Sequence, residues 1–122
     1  MTVNEAVAGA VEILGDTVTR EALVLWLWEI ENTVITEIAE THEGLYADKT
    51  PIDKNCDGER VLFAPDPYSQ LYVHYLLMKG DQSLRDATQY INSATQFSAS
   101  YNNFSDWYNR TYMPLSKNKI KL

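Results

Sequence analysis

Residues 67–77 read PYSQLYVHYLL, and no other stretch restricts the fold as much. At about 100° of helical rotation per residue, Tyr68, Tyr72 and Tyr75 fall on one stripe with Leu71 beside it, while Val73, Leu76 and Leu77 point in other directions. Only Ser69, Gln70 and His74 leave a narrow polar sector. A helix with so little polar face has to be covered on more than one side. In a chain of 122 residues one domain is expected, burying roughly 65% of the surface that the unfolded chain exposes. Cover all round is hard to supply in a domain of that size, so the stretch points toward self-association.

The surrounding pattern is helical as well. Thr2 and Glu5 make a capping box before NEAVAGAVEIL, where Val3, Val7, Ala10, Val11 and Leu14 share a face and Gly15 is the expected stop. Thr19 can cap a helix over 20–43. Leu23, Trp26, Leu27, Ile30, Val34, Ile38 and Ala39 form its i, i+3, i+4 stripe, Glu29, Glu31, Glu37 and Glu40 lie mostly off it, and Gly44 fits its C-cap. Asp66 followed by Pro67 is a helix start, an acceptor at the N-cap and a fixed φ at the first helical position, so a third helix is predicted over 67–80, weakening at Gly80. Ser83 with Asp86, in the capping-box spacing, can cap a fourth over 84–112, with Leu84, Ala87, Ile91, Ala94, Tyr101, Phe104 and Tyr108 at three- and four-residue steps and Met113-Pro114 as its end. From 45 to 66 the periodicity disappears, and only ERVLF (59–63) suits a short strand or extended arm. The expected fold is all-α, one small four-helix domain with helices at about 3–14, 20–43, 67–80 and 84–112, a long irregular loop at 45–66 and a tail at 114–122.

Chemistry is sparse. The glycines at 9, 15, 44, 58 and 80 build no phosphate-cradling loop. EIAETHEG gathers Glu37, Glu40, His42 and Glu43, but positions 40 and 42 are about 200° apart and no Glu-x-x-His pair repeats the di-metal pattern of bundles. A solvated acidic face is expected there, and no catalytic residue, cofactor or metal is assigned. Cys56 is the only cysteine, which leaves no intramolecular disulfide. The first residues lack a basic stretch and carry Glu5, and the longest apolar run, 22–28, is too short to span a bilayer, so a cytosolic chain without a membrane contact is expected.

Charge is unevenly placed. Residues 1–66 hold fourteen Asp and Glu against Arg20, Lys49, Lys54 and Arg60, a balance of −10, and residues 67–122 balance at +3, giving −7 in total. Such a chain is a poor clamp for DNA phosphates, which needs clustered Lys and Arg. The basic end, with Lys117, Lys119 and Lys121, reads either as a solvated tail or as a docking peptide. Tyr and Trp give large contact area with a polar handle. Trp26, Phe97 and Phe104 are expected in the domain core, whereas Tyr68, Tyr72 and Tyr75 suit either core or a subunit interface.

Three stretches in order, ALVLWLWEIENTVITEIAETHEG, PDPYSQLYVHYLL and FSDWYNRTYMP, resemble the small head-tail connector, or adaptor, proteins of tailed phages and Gram-positive prophages. The resemblance spans roughly residues 20–114. It implies an all-α structural protein of the virion neck, assembled in the cytoplasm of the bacterial host as an oligomeric ring, usually of twelve subunits, beneath the portal protein. The ring would extend the channel for double-stranded DNA, without specific binding, and present a platform to the next neck or tail-completion protein. Interface positions are then expected at Tyr68, Tyr72, His74 and Tyr75, at Trp107, Tyr108 and Arg110, and at Lys117, Lys119 and Lys121. The competing class is a helical protein-binding, regulatory module of a mobile element, working as monomer or dimer. An enzyme is not expected, since nothing sets a nucleophile, base and oxyanion donor together.

Overall fold

The computed structural model describes residues 1–42 and 46–112. Its four helices are α1 (Val3–Leu14), α2 (Arg20–Glu37), α3 (Gln70–Ser83) and α4 (Ala87–Thr111), and the described residues contain no β-strand. The architecture is the expected all-α, four-helix domain. α3 is its centre: α1, α2 and α4 each pack on it, and Leu71, Tyr72, Val73, Leu76 and Gly80 are buried. The cover that the sequence suggested a second subunit would provide comes instead from the chain's own three other helices.

Local chemistry explains most of the helix ends. At α1, Thr2 Oγ1 accepts from Glu5 N–H and the Glu5 carboxylate accepts from Thr2 N–H. The backbone N–H groups of Val3 and Asn4, which a helix start leaves open, donate to the carbonyls of Arg60 and Gly58 at 3.0 and 2.9 Å. A Cβ on Gly58 would sit 2.4 Å from the Asn4 amide, so the approach depends on that glycine. The buried face of α1 is Val3, Ala6, Val7, Ala10 and Leu14, with Ala6 in the place expected for the exposed Val11. Gly15 closes it at φ 66.

α2 starts on Thr19, whose side chain accepts from Ala22 N–H, but it ends at Glu37 rather than 43. The Thr41 hydroxyl donates to the Glu37 and Ile38 carbonyls, and the His42 ring donates to Ile38 O. Side chains thereby take the acceptors that a further helical turn would need, and a 3-10 turn over Ala39–Thr41 follows. The proposed cap Gly44 lies outside the described residues.

α3 begins three residues later than expected. Asp66 does not cap it; its carboxylate accepts from the Ser69 hydroxyl, and Tyr68 N–H closes a turn on Pro65 O at 2.8 Å. Tyr68 therefore lies on that turn, off the stripe of Tyr72 and Tyr75. The helix runs through Gly80, where a Cβ would stand 2.6 Å from Leu14 Cδ1, so this glycine is the close approach of α1 to α3 and not a breaker. Leu84 is the C-cap of α3, Arg85 follows at φ 59, and Asp86 caps α4 by accepting from Gln89 N–H. Leu84 is thus outside α4 and exposed.

Residues 46–64 form a strap held by the same chain. Leu62 N–H donates to Met1 O at 2.9 Å, an isolated bridge pairs Thr2 with Val61, and Ile52, Leu62 and Ala64 enter the core. The Arg60 guanidinium ties the strap to itself through the carbonyls of Asp48 and Thr50. Among the described residues, the backbone of α4 runs beside α3, and the Tyr101 side chain reaches across to Glu37 of α2.

Candidate interaction site at the end of the long helix

The phenols of the sequence meet the carboxylates of α2. Tyr72 Oη donates to Glu31 Oε1 at 2.6 Å, Tyr75 Oη to Glu29 at 3.0 Å, and Tyr101 Oη of α4 to Glu37 at 2.6 Å. Glu31 was expected off the apolar stripe; it is 2% exposed, because Val24, Glu31 and Ile35 form a second buried face of α2. Its other oxygen accepts from Phe63 N–H at 2.9 Å, and Tyr72 Oη accepts from Ala64 N–H at 2.9 Å. One carboxylate and one phenol thus fasten the end of the strap to α2 and α3. Burial pushes the Glu31 carboxyl above its ordinary value, against its hydrogen bonds to Tyr72 and Phe63 and the charge of Arg60. Burial raises the Tyr72 phenol too, with the Glu31 charge adding to it, and Tyr75 and Tyr101 are raised by burial and then by their glutamates.

Tyr72 is 0% exposed and Tyr108 1%. Neither has surface to offer a subunit, so both belong to the core and not to the expected interface. Phe104 is likewise buried, while Trp26 and Phe97 are partly buried against the same core. Tyr75 is half-buried, edge-on to Phe97 at 5.1 Å. His74 faces α4, its Nδ1 2.6 Å from Ser100 Oγ, and burial lowers its pKa. The pair locks α3 to α4.

The structure does bring Tyr68, Trp107 and Tyr108 together. Tyr68 stacks on Trp107 with ring centroids 5.0 Å apart, Phe104 lies beneath, and Tyr108 packs edge-on to His42 at 5.1 Å and against Tyr112 at 4.4 Å. His42 Nε2 is 2.5 Å from Asn109 Oδ1, which joins the turn after α2 to the end of α4. Tyr68, Trp107 and Tyr112 are only partly buried, giving an amphipathic surface of the kind enriched at interfaces. Arg110 is exposed in the last turn of α4, where a cation suits the helix dipole. Lys117, Lys119 and Lys121 lie outside the described residues.

Two features escaped the sequence reading. Asp53, Asn55, Asp57 and Gly58 have the D-x-N-x-D-G spacing that opens calcium loops. Here Asp53 and Asp57 turn back onto the N–H groups of Asn55 and Glu59, and Ala64 stands where a closing glutamate belongs. No cluster of three or more ligating side chains among the described residues could hold a metal ion. The second is a surface without charge: from Ala87 through Ser105 the sequence has no Asp, Glu, Lys, Arg or His. Its outer side is exposed, with Ile91 at 62%. The acidic side of the molecule is elsewhere, on exposed Glu5, Glu12, Glu21, Glu29, Glu37 and Glu40 of α1, α2 and the turn after it. Among the described residues no helix is long and apolar enough to cross a membrane.

No family model, no curated protein and no solved structure matches the chain.

Proposed function

We propose that the chain is a structural protein of a tailed-phage neck, an adaptor whose copies form a ring, twelve in number, under the portal. The ring joins head to tail, extends the channel through which double-stranded DNA passes, and receives the next neck or tail-completion protein. The observation that carries this reading is the aromatic junction. The three stretches on which the resemblance rests meet there, through His42 on the turn after α2, Tyr68 on the turn before α3, and Phe104, Trp107 and Tyr108 of α4. The junction sets the point at which the chain leaves α4, and the segment beyond carries Lys117, Lys119 and Lys121. These lysines dock on a carboxylate-rich surface of the portal or of a neighbouring adaptor. The carboxylates of residues 1–66 suit a channel wall along which DNA slides, because like charges do not hold phosphate. The reading contains no turnover, no cofactor and no membrane contact.

A second reading has its own support. Because α3 is covered within one chain, the domain has no need of a ring to bury it, which favours a helical binding module of a mobile element acting as monomer or dimer. Particle images of the protein with and without the portal protein of the same phage separate the two. A symmetric ring stacked on the portal is the expected result. A free particle in both samples overturns the adaptor reading in favour of the module. Deleting residues 115–122 is expected to abolish portal binding, and normal binding would remove the tail from the account.

A further inference from the structure

We propose that two copies of this chain pair through the outer face of α4, antiparallel, about a twofold axis near Thr95. α3 covers one side of α4, and on the opposite side Thr88, Ile91, Thr95, Ser98, Ala99 and Asn102 recur at three- and four-residue steps, all exposed. Ile91, near the N-terminal end of the face, stands 62% exposed. Charged residues are depleted at the centres of interfaces, and this is the face from which they are missing.

Charge identifies the occupant and its direction. The chain carries −7, and α1, α2 and the strap present carboxylates, so copies that met there would bring like charges together. The face of α4 brings none. Beyond its ends charge returns, Arg85 and Asp86 before the helix and Asp106 and Arg110 near its far end, all exposed. The neighbouring Asp86 is engaged as the N-cap through Gln89 N–H. A parallel pair would set Arg85 against Arg85 and Asp106 against Asp106. The antiparallel pair sets Arg85 of one copy beside Asp106 of the other, and the twofold repeats the contact. The same register lays Ile91 of each copy on Ser98 and Ala99 of the other, whose small side chains leave room for it.

The face from Thr88 to Asn102 is about 21 Å long and about 10 Å wide, roughly 200 Å² of each copy, which is small for a specific interface. The pairing is therefore concentration-dependent. It does not rest on the neck reading and holds for the free protein under either function.

Sedimentation equilibrium of the full chain from ~10 μM to ~1 mM, the range in which so small an interface half-forms, is expected to show a mass rising from 13.9 kDa toward twice that value. Ile91→Glu, a change on exposed surface, is expected to leave the circular-dichroism melt in place and weaken association by about tenfold or more. Arg85→Glu and Asp106→Arg are each expected to weaken it, and the double variant to restore it. A monomer mass at every concentration overturns the proposal. So does an Ile91→Glu chain that pairs like its parent, or a double variant that regains nothing. A ring on the portal formed by a chain that never pairs when free would sink this inference and leave the neck reading standing; pairing without any ring would do the reverse.

Discussion

At the scale of single residues, the molecule turns on Glu31 and Tyr72. A buried carboxylate is tolerated when its oxygens are hydrogen-bonded, and here both oxygens have partners at 2.6 and 2.9 Å. Tyr72→Phe removes the donor to Glu31 and the acceptor of Ala64 N–H together, leaving buried groups unsatisfied, with an expected cost of about 2–4 kcal/mol at neutral pH. Denaturant unfolding is expected to show a smaller cost in acid, where Glu31 carries a proton and loses less. The folded-state carboxyl titrates above its ordinary value of 4.5, so the folded form keeps a proton that the unfolded chain has released. Its contribution to stability is full below that value and is lost as pH rises through the folded-state one. Glu31→Gln is expected to flatten this part of the stability–pH curve; an unchanged slope would place the titration elsewhere. None of this was legible from pattern, because a glutamate on a helix gives no sign that a phenol 41 residues later will receive it.

At the scale of elements, the first two helix starts were legible because a capping side chain decides them: Thr2 with Glu5 and Thr19 act as the sequence indicated. The box expected from Ser83 with Asp86 gives way to Asp86 alone as N-cap of a helix that starts three residues later, the Ser83 hydroxyl donating to Gly80 O. The end of α2 and the start of α3 were not legible, since Thr41, His42 and Ser69 settle them by side-chain bonds that compete with helical ones. Gly80 was misread for a different reason. Glycine weakens an isolated helix, but here it admits Leu14 of α1. Gly80→Ala is expected to be destabilising by about 1 kcal/mol or more after alanine's helix preference is counted, as crowding in a packed core is. With Leu14→Ala already present the crowding is gone, and the same change is expected to stabilise by up to about 1 kcal/mol. A double-mutant cycle in denaturant reads this directly, and a cost that ignores the state of residue 14 would refute the contact.

At the scale of the whole molecule, the four-helix plan was legible and the reason given for self-association was not sound. The all-round apolarity of 71–77 was real, but three helices and a strap supply its cover. The strap looked structureless because its order comes from distant groups, the first residues of the chain and Glu31, and not from any period of its own. The aromatic end of α4 was half legible: Trp107 and Tyr108 were singled out, but their meeting with Tyr68 and His42 needs the fold. The one-sided support of the first half of α4 has a consequence in time as well as in space. The half of α4 before Tyr101, which lies along α3 and ahead of the contacts with Glu37, His42 and Tyr68, has fewer buried contacts to lose when it opens. In hydrogen exchange the amides from Ala87 to Ser100 are expected to open well before those of α3, without global unfolding. Raising the protein concentration is expected to slow those same amides if copies pair there, so a clock in the first half of α4 would count its neighbours.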